Sequence, residues 1–162
     1  ESVGASEFGS SNNYAESDLK KAVDKWLEDM GKRGLDNAKL IPREIDLTTL
    51  DGSGCYGKLS VKAAPLTLDE AREYADIIPN AERWCWLATG WSGPSKSDGD
   101  LALYVGSDGG WYHDFCPNSY GIRPALKAPS ILFEDSEAGL DLSKIPTDDL
   151  LQEIHRRLAE KA

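Results

Sequence analysis

Between residues 84 and 126 the chain alternates short apolar runs with tight turns, and few folds accommodate that rhythm. Residues 84–90 (WCWLATG), 100–106 (DLALYVG), 111–116 (WYHDFC) and 122–126 (IRPAL) read as four short strands. Asp108-Gly109, inside Ser107-Asp108-Gly109-Gly110, is a hairpin signal because the turn it favours matches the twist of the flanking strands. The polar loop 91–99 and the turn 117–121 (PNSYG) make the other connections. Strands this short, joined this tightly, predict an antiparallel sheet. Pro124 has no amide to donate, which predicts an edge or a strand end for 122–126.

The preceding residues carry a different period. Ser17 is placed to cap a helix. Leu19, Ala22, Val23, Trp26, Leu27 and Met30 follow at helical spacing as one apolar stripe, and Gly31 and Gly34 end it. Trp26 in that stripe reads as core. Residues 40–50 read as extended, with Ile45 and Leu47 alternating against polar neighbours. A Gly-rich loop, 51–57, leads to a short extended piece, 58–64. Thr67-Leu68-Asp69-Glu70 is a capping box, predicting a helix that runs to about Ile78 with Leu68, Ala71, Tyr74 and Ala75 buried, stopped by Pro79. After an acidic stretch, Thr147 caps a last helix with Leu150, Leu151, Ile154 and Leu158 on one face. That amphipathic helix either docks on its own domain or, through 147–160, pairs with another chain. The fold class is α+β: two helices, a small antiparallel sheet, and a C-terminal amphipathic helix. Residues 1–13, rich in Gly, Ser and Asn, read as a lead-in or linker, 14–130 as one domain, and 131–162 as an acidic loop with its helix.

At 162 residues the chain can bury a core without metal or disulfide staples. Its net charge of −10 argues against a nucleic-acid surface and against anionic lipid. No run of about 18 apolar residues exists, so no membrane insertion is expected. The chain starts at Glu1 without Met, which reads as a fragment or a processed product. The three cysteines, Cys55, Cys85 and Cys116, are too few for a disulfide framework and include no CxxC pair. Cys85 and Cys116 either pair or sit buried as small hydrophobes. Neither a structural zinc site nor any other cofactor is expected. His113 and Cys116, three apart on one strand, point to opposite faces, which weakens a Cys/His nucleophile pair. Asp108 reads as a turn former rather than a calcium ligand.

Residues 84–120 hold 8 of the chain's 14 aromatic residues and a single Lys or Arg, Lys96. Trp84 and Trp86 share one face of their strand and read as core. On 111–116, one face carries Trp111, His113 and Phe115 and the other Tyr112, Asp114 and Cys116. A core needs only one such face, so the second reads as a platform. Trp and Tyr are rigid and amphipathic, which suits adaptable contact with a sugar ring or a protein loop. Trp91, Trp111, Tyr112 and Tyr120 are open to either role, core or platform.

Trp84-Cys85-Trp86-Leu87-Ala88-Thr89, the turn Ser107-Asp108-Gly109 and the ending Tyr120-Gly121-Ile122-Arg123-Pro124-Ala125-Leu126 resemble a bacterial and phage domain family of unknown function. Its members read WWLAT or WWLRS, then a Ser-Asp-Gly turn, then YGVRPAL. Asn12-Asn13-Tyr14, Ser17-Asp18-Leu19, Trp26-Leu27, Ile45-Asp46-Leu47-Thr48 and Leu66-Thr67-Leu68-Asp69-Glu70 resemble its upstream parts, so the resemblance covers about residues 10–126. The resemblance implies the C-type-lectin-like fold shared with formylglycine-generating enzymes. It also implies kinship with variable proteins of diversity-generating retroelements, in which the segment before the ending is rewritten to change ligand specificity. Arg123 is then a structural, buried guanidinium with carboxylate or carbonyl partners. The Glu-Pro-Asn and Trp-Asn-Asp calcium motifs of sugar-binding lectins are absent.

The resulting expectation is a ligand-binding module, not an enzyme, whose partner is a protein or a glycan. Its candidate contacts are Trp91, Ser95, Lys96, Tyr104, Trp111, Tyr112, His113, Asp114, Phe115, Asn118 and Tyr120. The residues name no compartment; the resemblance points to a phage virion or a bacterial cell surface. The alternatives are an enzyme related to the formylglycine-generating group, using Cys85 or Cys116, and an assembly domain that oligomerises through its last helix.

Overall fold

The computed structural model describes residues 2–94 and 96–129. The acidic loop and the helix expected from Thr147 lie outside them. The described part is α+β, with helix α1 (Asp18–Lys32), a short helix α2 (Leu68–Glu73) and nine strands. The strands are β1 (Ala5–Glu7), β2 (Arg43–Asp46), β3 (Lys58–Val61), β4 (Ala63–Ala64), β5 (Cys85–Gly90), β6 (Leu101–Val105), β7 (Trp111–Phe115), β8 (Ser119–Gly121) and β9 (Ala125–Leu126). Among the described residues no helix is long and apolar enough to cross a membrane.

Helix α1 starts where its cap predicts: the Ser17 hydroxyl accepts from the Lys20 amide at 2.9 Å. Asp18 in the first turn and Lys32 in the last both suit the helix dipole. Leu19 and Val23 are fully buried, and Ala22, Trp26 and Leu27 pack against the same cluster. Helix α2 has the full capping box, with the Thr67 amide donating to Glu70 Oε2 at 2.8 Å. It stops earlier than the sequence predicts. Pro79 disfavours helical backbone at the residue before it, and Tyr74 and Ile77 face solvent, so nothing rewards further turns. Turn hydrogen bonds, including Ile78 N–H to the Tyr74 carbonyl at 2.9 Å, carry the chain to Pro79.

The main sheet has five strands in the order β1-β8-β5-β6-β7. It is mixed, because β8 runs parallel to β5 while the other pairs are antiparallel. This corrects the expected four-stranded antiparallel sheet. The chain returns through 117–121 and forms β8 there; 122–124 is not strand, and β9 pairs with β4 in a separate ladder. Pro124, directly before β9, sits where a missing donor costs nothing. Strands β2 and β3 make a third small ladder, in which Ile45 is buried as the alternation predicts.

Residues 5–12 are not a lead-in. Strand β1 forms an edge of the main sheet, and Phe8 and Asn12 are almost completely buried. Asn12 is a polar clamp: its amide donates to the carbonyls of Ser92 (2.8 Å) and Leu101 (3.0 Å), and its oxygen accepts from Tyr56 (2.6 Å). With every polar atom engaged, an uncharged group can be buried at little cost. A Cβ on Gly90 would stand 2.9 Å from this Asn12 side chain, so the end of β5 must be glycine for the clamp to close. Arg43 adds a second, half-buried tie. Its guanidinium pairs with Glu70 and donates to the carbonyls of Ala64 (2.9 Å) and Pro65 (3.1 Å), joining β2 to the start of α2.

Candidate ligand-binding face

Successive residues of a strand point to opposite faces, so the sheet sorts its aromatic residues into two sets. The pairing of β6 with β7 puts Tyr104 opposite Tyr112, and Leu103 opposite His113. One face therefore carries Trp86, Ala88, Ala102, Tyr104, Tyr112, Asp114 and Tyr120. The other carries Leu87, Leu103, Val105, Trp111, His113 and Phe115. The candidate contacts consequently do not form one site. Tyr104, Tyr112, Asp114 and Tyr120 lie on one side of the sheet, and Trp91, Trp111, His113 and Phe115 on the other. Lys96 lies away from both, bonded to Asp51 at 2.5 Å. Asn118 is exposed in the β7–β8 turn. Ser95 is outside the described residues.

The first face is itself divided along its length. Phe8, Tyr14, Leu19 and Val23 cover one half and bury Trp86, Ala88, Ala102 and Cys116. Beyond them the face is open. Trp84 is 49% exposed and Tyr112 44%, whereas Tyr104 between them is 9% exposed. The rings form a ladder across the strands. Trp84 stacks on Tyr104 with centroids 5.5 Å apart at 26°, and Tyr104 stacks on Tyr112 at 5.5 Å and 25°. Tyr120 leans on Tyr104 at 4.6 Å and meets Trp84 edge-on at 5.6 Å. Two expectations are corrected here. Trp84 is not core, because α1 and Phe8 do not reach it. Tyr104 is the buried rung supporting its neighbours, not an exposed contact.

Two carboxylates fix the hydroxyls. Tyr112 donates to Asp108 Oδ2 at 2.7 Å, and the Gly110 amide donates to Asp108 Oδ1 at 3.0 Å. Asp108 thus shapes the hairpin turn and holds an exposed ring at once. Tyr120 donates to Asp114. These phenol bonds hold both carboxyls below the usual carboxylate range. Burial, then the bond to Asp114, pushes the Tyr120 phenol up; the Tyr112 phenol is raised by its bond to Asp108. A shallow groove lined by Arg83, Ser107 and Ser119 adjoins Trp84 and Tyr120.

The opposite face is more self-contained. Leu68 and Ala71 of α2 cover Leu87 and Leu103. Trp91 packs on His113 with ring centroids 3.9 Å apart, and the Arg72 guanidinium lies 5.3 Å from the Trp111 ring. Phe115 is 55% exposed at the sheet edge. A small apolar cavity of about 80 Å³ lies between α2 and the sheet, lined in part by Leu66, Ile78, Cys85 and Arg123. Arg123 is half-buried there rather than enclosed, and has no salt bridge among the described residues.

Cys85 and Cys116 are both buried and unpaired, so of the two readings of these thiols the structure has the small buried hydrophobe. Burial pushes the Cys116 thiol up to about 12 and raises that of Cys85. A nucleophilic cysteine needs the opposite shift. Among the described residues no three His, Cys, Asp or Glu side chains are grouped to hold a metal ion.

Of the open half-face, the sequence reading missed Trp84 and the anchoring role of Asp108. The signal for Asp108 was present, since a turn Asp four residues before a Tyr can reach its hydroxyl across the hairpin. No local signal separates Trp84 from Trp86. Compared with protein-family models, curated proteins and solved structures, the chain matches none.

Proposed function

We propose that this chain is a ligand-binding module of C-type-lectin-like architecture, and that its ligand seats on the open half-face built from Trp84, Tyr104, Tyr112 and Tyr120. One observation carries the reading. Two large aromatic rings, Trp84 and Tyr112, stand about half exposed while the buried Tyr104 ring stacks on both and Asp108 accepts from the Tyr112 hydroxyl. Rings fixed in this way lose little conformational entropy on binding, which favours recognition surfaces. The half-face lies within the segment that resembles the retroelement-diversified family: Trp84 opens the Trp motif, Tyr120 opens the ending, and Tyr104 and Tyr112 lie between them. In that reading the exposed side chains between Trp86 and Tyr120, Tyr112 among them, are the variable ones, and Trp84 and Tyr104 belong to the scaffold.

The test applies the whole chain to glycan and peptide arrays, alongside a Trp84→Ala/Tyr112→Ala variant. Binding by the parent chain that the variant loses, with the melting temperature within a few degrees, supports the reading. Binding that the variant retains, or a variant that unfolds, overturns it. The diversified character has its own test: a reverse-transcriptase gene and an adenine-rich near-copy of codons 84–126 beside the gene.

A further inference from the structure

Resting on the reading of the open half-face as a binding surface, we infer that its occupant is an arginine side chain presented by a protein partner. Asp108 and Asp114 have no cationic partner within hydrogen-bond or ion-pair reach among the described residues, although Asp18, Asp24 and Asp51 all have one. They accept tyrosine protons instead, so the Tyr112 and Tyr120 hydroxyls direct their protons inward. Each carboxylate oxygen accepts one hydrogen bond, the second bond coming from the Gly110 amide at Asp108 and from the Phe115 amide at Asp114, and keeps a lone pair for a further donor beside the faces of the aromatic rings. Ring faces are negative and attract cations. A guanidinium meets each requirement: it brings planar donors, accepts two-pronged pairing with carboxylate, and is weakly hydrated enough to stack on a ring. An ammonium is compact and strongly hydrated, and suits the ring ladder less well. A sugar brings acceptors as well as donors, and donors such as Arg83 and Ser119 lie to one side, in the groove beside Trp84.

The opposite face contains the same combination already completed. There Arg72 lies 5.3 Å from the centre of the Trp111 ring while its Nη1 is 3.2 Å from Asp69 Oδ1. The open half-face has the rings and the carboxylates, and Arg83 in the adjoining groove pairs with neither carboxylate among the described residues. A net charge of −10 would steer a basic partner toward the chain.

Calorimetric titration of the full chain with an arginine-glycine repeat peptide tests the inference, with lysine-glycine and glutamate-glycine repeats and neutral methyl glycosides as comparison probes. Saturable binding of the arginine peptide is expected, weakened about tenfold or more by Trp84→Ala and by Asp108→Asn/Asp114→Asn. The pair Asp24→Asn/Glu28→Gln removes the same charge from α1 and is expected to leave binding within about twofold. Equal weakening by both carboxylate pairs overturns the inference, because it would reflect overall charge alone. Lysine peptide binding as tightly as arginine peptide also overturns it. If Asp→Asn changes loosen the hairpin, the exposed Trp84→Ala site still decides: arginine binding indifferent to Trp84 rejects the site. A glycoside or glutamate peptide that binds in a Trp84-dependent way removes the arginine but keeps the binding face. If no probe binds in a Trp84-dependent way, and the arrays find none, both readings fall.

Discussion

Trp84 and Trp86 stand two residues apart on the same side of the same sheet, yet they belong to two different regions. Trp86 is 1% exposed, edge-on to Phe8 at 5.6 Å, with its indole N–H donating to the Ser6 carbonyl at 3.0 Å. Trp84 is 49% exposed and stacks on Tyr104. Strand alternation assigns both to one face. Whether that face is covered depends on what packs over it: Phe8 and the Ser6 carbonyl meet Trp86, whereas the ring partners of Trp84 are Tyr104 and Tyr120 of the sheet itself. One sheet face is thereby core at one end and surface at the other.

Truncation should break the comparison open most strongly at Trp86. Trp86→Ala is expected to cost about 3–5 kcal/mol, since it leaves a large cavity, whereas Trp84→Ala should cost less than about 1 kcal/mol. Urea unfolding midpoints of the two variants measure the contrast; similar losses would show the half-face to be core throughout. Asn12→Ala should fall between them, at about 1–3 kcal/mol, because it strands the buried Ser92 carbonyl and the Tyr56 hydroxyl, while the Leu101 carbonyl keeps its bond from the Trp91 amide.

The buried half should also carry a pH signature of its own, set by a thiol rather than by the carboxyls and phenols of the open half. Burial holds the folded Cys116 thiol up at about 12, so the folded state keeps its proton where the unfolded chain has released it. Stability from this group is therefore complete below the unfolded value of about 8.5 and declines as pH rises toward the folded one. Unfolding midpoints measured across mildly alkaline pH should fall for the parent chain and fall less steeply for Cys116→Ala. The smallest effect lies on the open half. Asp114→Asn should lower the Tyr120 phenol without returning it to its ordinary value, since burial is the larger cause of its shift. Spectrophotometric titration of the tyrosines reads that change; a Tyr120 phenol that does not move would disconnect the carboxylate from the ring.

Local chemistry made a good part of the fold legible. The Ser17 cap, the Thr67–Glu70 box and the apolar stripe of α1 depend on residues near one another along the chain and are present as expected. The hairpin also forms at Asp108-Gly109, but with Gly109 alone at positive φ, in a connection longer than two residues. What was not legible depends on distant partners. Strand β1 looks like linker because Ala, Ser and Glu pack nothing themselves; its place comes from pairing with β8, more than a hundred residues along. Asn12 looks like a loop residue because its three bonding partners lie on other segments. The two-sided division of Trp91 and Trp111 from Tyr112 and Tyr120 follows from alternation within each strand and from the β6–β7 register. Alternation within β7 is legible in the sequence, whereas the register that sets Tyr104 beside Tyr112 and Leu103 beside His113 is not.

By itself, the sequence determined where helices are capped, where the hairpin turns, and which residues of a strand share a side, because those are properties of neighbouring atoms along the chain. Only the tertiary structure decided that β8 runs parallel to β5, that residues 5–12 close the core, and that Trp84 faces solvent while Trp86 does not. Coverage of a sheet is a matter of what other segments reach in space, and no local pattern records that reach.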